Sequence, residues 1–199
     1  MSLLFETVRI SDGVPQHMEW HEKRMNRSVM EVWGTVNGLK LSQVIVVPAA
    51  YSQGMVRCNI RYGQEIRDIT FHHYEKRMIR SLMVVVCDTI DYHLKYSDRT
   101  RLDGLYSLRG KCDEIIIVKN GLVTDTSLSN LIFQDGQTWI TPAKPLLKGT
   151  CRERLIQQGF LKERDIKLGD ITGFDGCKLI NAMRDPEEEE PIPVSEIHY

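Results

Sequence analysis

The stretch EIIIVKNGLVTDTSLSNLIFQDGQTWIT, residues 114–141, decides the architecture. It reads as four short strands, 114–119, 122–124, 130–134 and 138–141. Asn120-Gly121 and Asp135-Gly136 separate them, and both dipeptides favour the positive φ angles of tight hairpin turns. A second hairpin lies upstream, 55–62 and 65–74, joined at Gly63-Gln64. Working outward, residues 3–10 form a β-rich run closed by the turn Ser11-Asp12-Gly13. Residues 17–33 carry Met18, Met25, Val29 and Val32 at helical spacing, with Gly34 as the stop. Residues 82–90 begin with an unbroken apolar run and predict a buried strand. Two further helices are expected at 100–108 and 149–158, the latter ended by Gly159. Residues 42–50 are ambiguous because Pro48 interrupts any long helix. A short buried strand is expected at 177–181, and 185–190 reads as a solvated acidic loop. Hairpins in both halves with few helices indicate an α+β fold and exclude a doubly wound sheet. The polar segment 75–81 suggests two lobes, 1–80 and 81–199, meeting at a cleft.

Composition narrows the function. The 199 residues include 26 Lys+Arg against 27 Asp+Glu, a net charge of -1. Nucleic-acid binding normally requires a basic excess, so no nucleic-acid partner is expected. No apolar run approaches the length of a bilayer span, and the first residues lack the pattern of a signal peptide. No membrane partner and a cytoplasmic location are therefore the expectation. Five scattered cysteines without a C-x-x-C pair suit reduced thiols. His17 and His21 have the i,i+4 spacing of a metal pair. Glu22 does not complete H-E-x-x-H, so no metal is expected.

G-x-S-x-G, G-x-G-x-x-G and the P-loop are all absent, which removes the usual support for hydrolase, dinucleotide and nucleotide readings. Other pieces recur in a definite order. They are Phe5-Glu6-Thr7-Val8-Arg9-Ile10 with Asp12-Gly13, then His21 to Arg24, then Val123 to Phe133. Thr141-Pro142 through Gly149-Thr150-Cys151-Arg152 follows, and Leu179-Ile180-Asn181-Ala182-Met183 with Pro191 to Val194 closes the series.

In that order these segments resemble the F-E-T-x-R strand, the H-x-x-R helix, V-T-E-x-x-x-S-N-x-x-F, T-P…G-[IV]-T-R and N-A…P-V. These are motifs of the fold type IV pyridoxal-phosphate enzymes, the class IV aminotransferases. Within that class the chain looks most like the aminodeoxychorismate lyases, in a short form without the usual segment before F-E-T. The resemblance implies a two-lobed fold, an N-terminal α/β sandwich and a C-terminal pseudo-barrel. It implies pyridoxal 5′-phosphate as cofactor, a small-molecule substrate and a homodimer. The activity it implies is release of 4-aminobenzoate, a folate precursor, and pyruvate. The alternatives are a transaminase for a D- or branched-chain amino acid, and a non-catalytic binding or partner subunit.

Such chemistry needs a lysine, a carboxylate for the pyridine nitrogen and an anion site. By resemblance Lys95 is the Schiff-base lysine; Lys111, Lys144 and Lys148 compete from turn-like segments. Asp125 stands where relatives have Glu, with the same charge and one methylene less. Arg24, the helix start Gly149-Thr150 and Asn181-Ala182 would hold the phosphate through a guanidinium, backbone amides and the helix dipole. Ser129 and Asn130 read as structural. Arg99 and Arg61 are candidates for a substrate carboxylate, as is Arg152, and the sequence does not rank them.

Overall fold

The computed structural model describes residues 3–35, 38 and 40–199, and these divide into two compact units. The first comprises the described residues up to Arg77 together with Leu94–Asp98. The second comprises Met78–His93 and Arg99–Tyr199. The boundary expected at residue 80 is therefore incomplete. Leu94–Asp98 returns to the first unit because its backbone pairs with the first strand: Phe5 N donates to Lys95 O at 3.0 Å, and Ser97 N to Leu3 O at 2.8 Å.

In the first unit, β1 (Leu4–Ser11) turns through Asp12 and Gly13, both at positive φ, into β2 (Val14–Pro15). Helix α1 (Met18–Trp33) ends at Gly34, whose φ of 67° terminates it without steric cost. Helix α2 (Leu41–Val44) precedes the hairpin of β3 (Met55–Tyr62) and β4 (Ile66–His73). The sheet order is β2-β1-β3-β4, all antiparallel. Strand β1 alternates strictly: Leu4, Glu6, Val8 and Ile10 face inward. They pack with Met25 and Val29 of α1 and with Val56, Cys58 and Ile60 of β3. The opposite face of this sheet is polar: Thr7 and Arg9 on β1, then Arg57, Asn59 and Arg61 on β3.

The second unit contains β5 (Leu82–Val86), α3 (Thr100–Tyr106), β6 (Glu114–Lys119), β7 (Leu122–Val123), β8 (Asn130–Asp135) and β9 (Thr138–Pro142). Helix α4 (Thr150–Gln157) follows, then β10 (Leu161–Arg164), β11 (Gly176–Ile180), β12 (Ile192–Pro193) and β13 (Ile197–His198). Two sheets result, β10-β9-β8-β11-β12 and β13-β5-β6-β7. Alternation along β8 and β11 determines the layering. Leu131, Phe133, Cys177 and Leu179 pack with Leu82, Ile116 and Val118 of the other sheet. Ile132 and Ile180 pack instead with Cys151 and Leu155 of α4. Strand β8 is thus covered on both faces and can position the loop before it.

Two sequence expectations change. The strand expected over 82–90 stops at Val86, which is exposed, because Asp88 turns the chain by accepting a hydrogen bond from Asn120 N. The acidic loop is solvated only in part: Glu189 is half-buried and pairs with buried Arg184 at 2.7 Å. Among the described residues, no helix is long and apolar enough to cross a membrane.

Candidate functional site

The first unit holds a buried ionic cluster. Inward alternation along β1 carries the Glu6 carboxylate into the core, where it is fully buried. His21 and Arg24, three residues apart, share one face of α1 and meet it. Arg24 donates from Nε to Glu6 Oε1 at 2.9 Å and from Nη2 to Oε2 at 2.5 Å. His21 Nδ1 lies 2.7 Å from Oε2. Burial would raise the Glu6 carboxyl, but the Arg24 charge and hydrogen bonds from His21 and Arg24 hold it at about 2. Burial lowers the His21 imidazole against the opposing pull of Glu6. At neutral pH His21 is therefore neutral, with the Nδ1–H donated to Glu6. Arg24, assigned to a phosphate by resemblance, is oriented here by Glu6, whose part the sequence reading missed.

Lys95 runs alongside β1, half-buried, with Nζ 4.5 Å from the centre of the Phe5 ring. Its competitors Lys111, Lys144 and Lys148 are all exposed, and Lys144 pairs with Asp165. Arg61 is exposed and 3.7 Å from Asp68. Arg57 is better placed to receive an anion. It lies directly opposite Arg9 across β1 and β3, and its Nε is buried without a hydrogen-bond partner.

The second unit gathers most of the remaining residues into one network. The loop between β7 and β8 carries Asp125, only 4% exposed. Asn130 Nδ2 donates to Asp125 Oδ1 at 2.7 Å, and Leu147 N donates to Oδ2 at 2.8 Å. Burial pushes the Asp125 carboxyl up to about 6, against the lowering effect of Leu147 N–H, Asn130 and the Arg152 charge. Among the described residues no cation forms an ion pair with it, so this is a buried carboxylate held by neutral donors.

The same loop is tied elsewhere. Thr126 Oγ1 accepts from Leu128 N and Ser129 N, and Ser127 Oγ donates to buried Glu114 at 2.9 Å. Asn181 donates from Nδ2 to Ser129 Oγ at 2.9 Å and accepts from Met183 N, with Ala182 in the turn between. Gly149 caps α4, and Thr150 behind it is buried. Asp125, Ser129, Asn130, Gly149 and Asn181 therefore form one connected group. Two arginines fall outside it. Arg152 is a structural group, bonded to Pro142 O and paired with Glu163. Arg99 is spent on Ser127 O and Asp103.

Residues 101–186 match the family model described as amino-transferase class IV. A crystal structure of a candidate 4-amino-4-deoxychorismate lyase from Haemophilus somnus 129pt superposes with a TM-score of 0.88 at 36% identity, covering 93% of this chain and 98% of that one. The chain belongs to the class IV aminotransferase family. A Haemophilus influenzae protein, described only as uncharacterized, is 44% identical over 182 residues, 90% of this chain and 97% of its own length. More distant members of the fold are similar in structure alone. An aminotransferase of hypothetical function from Mycobacterium tuberculosis, solved in a PLP-bound form, gives a TM-score of 0.78 at 15% identity over 98% of this chain and 81% of that one.

The residues fit such a cofactor. A pyridinium N–H is the cationic donor that the buried Asp125 carboxylate, held by neutral donors, lacks.

Proposed function

We propose that this chain binds pyridoxal 5′-phosphate and acts as a 4-amino-4-deoxychorismate lyase, releasing 4-aminobenzoate and pyruvate. The observation that carries the reading is Asp125, ionisable, buried and held by neutral donors, at the position that the motif resemblance assigns to the family's carboxylate. The cofactor, when bound, supplies an electron sink for the pair left at a deprotonated substrate carbon.

Each remaining role belongs to a residue of this chain. Asp125 keeps the pyridine nitrogen protonated, since a carboxylate favours the charged form of its partner. Lys95 anchors the cofactor and removes the proton from the amine-bearing carbon through Nζ. Its Nζ lies over the Phe5 ring, near the buried cluster of Glu6, His21 and Arg24. By the family resemblance, Arg24, Gly149-Thr150 and Asn181-Ala182 are assigned to the phosphate. Glu6 fixes the guanidinium plane of Arg24 in advance, so little rotamer entropy is lost on binding.

The lyase substrate is a dicarboxylate, and the polar face of the first sheet suits one. Arg9 and Arg57 lie opposite each other, four residues along β1 from Phe5, about 14 Å at strand rise. The Arg57 Nε is buried with no hydrogen-bond partner, a donor that a carboxylate would satisfy. Arg57, rather than Arg61 or Arg99, is therefore assigned to a substrate carboxylate. A homodimer is proposed as the working form, on the family resemblance.

Transamination is the second reading, favoured by the match of residues 101–186 to the family model described as amino-transferase class IV. Product analysis separates the two. The lyase reading requires 4-aminobenzoate and pyruvate in equal amounts from 4-amino-4-deoxychorismate. Glutamate formed from an amino acid and 2-oxoglutarate, with no 4-aminobenzoate, would replace it with the transaminase.

A further inference from the structure

Gly149 poses a question that its backbone does not answer. Its φ of -69° and ψ of 144° are open to any residue, so conformational freedom is not why a glycine stands there. The reason is a neighbour. A Cβ built on Gly149 would collide with Asn130 Oδ1 and lie 3.2 Å from Asn130 Cγ. The Asn130 amide occupies the space where a side chain at 149 would begin.

That amide is not free to swing aside. Its Nδ2 bonds Asp125 Oδ1 at 2.7 Å and Leu147 O at 2.8 Å, while Leu147 N bonds the other Asp125 oxygen. Asn130 itself is fixed at the start of β8, in an isolated bridge to Asp125 and in register with Ile180 of β11. Any group at 149 must therefore break both amide hydrogen bonds.

We propose that Asn130 and Gly149 form an interlock whose purpose is to position the Asp125 carboxylate: Asn130 is a positioning residue for Asp125, and Gly149 is glycine so that Asn130 can reach it. Its link to the reaction rests on the function proposed above, through the role of Asp125, but the interlock itself is a property of the cofactor-free chain. The interlock also accounts for an aspartate at this position. Fixing both oxygens, one through Asn130 and one through the backbone of Leu147, replaces the placement that a longer side chain has from its own reach. Arg152 of α4 is the charged neighbour that also acts on Asp125, and it is untouched by the substitutions below.

The test reads Asp125 directly, by carboxyl NMR titration of the cofactor-free protein. Asp125→Asn identifies its resonance. Asn130→Ala removes a hydrogen bond to the ionised form and moves the Asp125 midpoint upward by about one pH unit. Gly149→Ala evicts the same amide and produces a similar rise. In Asn130→Ala/Gly149→Ala the two effects do not add, because both act through one hydrogen bond. If Gly149→Ala alone does not fold, the double variant must recover folding, since Asn130→Ala empties the contested space. A Gly149→Ala midpoint equal to wild type, a double shift equal to the sum of the singles, or a double variant that stays unfolded would each overturn the interlock. Failure of wild type to bind pyridoxal 5′-phosphate would instead overturn the functional reading and leave this result standing.

Discussion

Replacing Glu6 with Gln keeps the shape of the buried side chain and removes its charge. The consequence follows from the cluster it leaves behind. Arg24 stays charged at neutral pH, remains 5% exposed, and loses the carboxylate that accepts from its Nε and Nη2. The Glu6 carboxyl lies at about 2 instead of the usual 4.5. At about 1.4 kcal/mol per pKa unit, that difference corresponds to about 3 kcal/mol of stability. Removing one partner of a buried pair gives an independent figure of about 3–5 kcal/mol. The sign is fixed by the direction of the shift. A depressed carboxyl contributes its full stability above about 4.5 and loses it as pH falls through about 2. Urea unfolding should thus show Glu6→Gln about 3 kcal/mol less stable than wild type at pH 7. The gap should be about half that at pH 3, where part of the wild-type advantage is already titrated away. A loss below about 1 kcal/mol at pH 7, or an equal loss at both pH values, would refute the ionised Glu6–Arg24 pair.

Asp125→Asn should still bind pyridoxal 5′-phosphate, read by its visible absorption, but turn over at least about 100-fold more slowly. Asp125→Ala should also weaken cofactor binding, because it removes the acceptor for both Asn130 and Leu147. Near wild-type turnover in Asp125→Asn would make the carboxylate structural. Arg57→Ala should raise KM for 4-amino-4-deoxychorismate about tenfold or more with a smaller effect on kcat. Arg61→Ala, in an exposed pair with Asp68, should change KM little. Equal effects of the two would remove the assignment of Arg57.

Local chemistry made much of this fold legible. The Asn120-Gly121 turn, with φ of 51° and 74°, and the Gly34 stop at 67° are positions where residue type dictates backbone shape. Pairings distant in the chain were not legible. Parallel β13 against β5, two residues at the C-terminus, has no local signal, and neither does β10 beside β9. The site divides in the same way. Arg24 and Asp125 were singled out by motif, but the side chains that hold them in the structure were not. Glu6 carried a usable sign: a carboxylate at an inward position of a strictly alternating strand needs a buried cation. The His21 and Arg24 pair at i,i+3 was the place to look for it. Asn130 looked structural because its contact with Gly149 spans nineteen residues. Gly149 resembled one more helix-start glycine until the space around it was known.

The cofactor assignment and the choice of lysine meet in one measurement. Protein reconstituted with pyridoxal 5′-phosphate is reduced with borohydride, digested, and its pyridoxyl-bearing peptide identified by mass. The label is predicted on Lys95, the half-buried lysine beside Phe5. A label on exposed Lys111, Lys144 or Lys148, or no stoichiometric label at all, would contradict it.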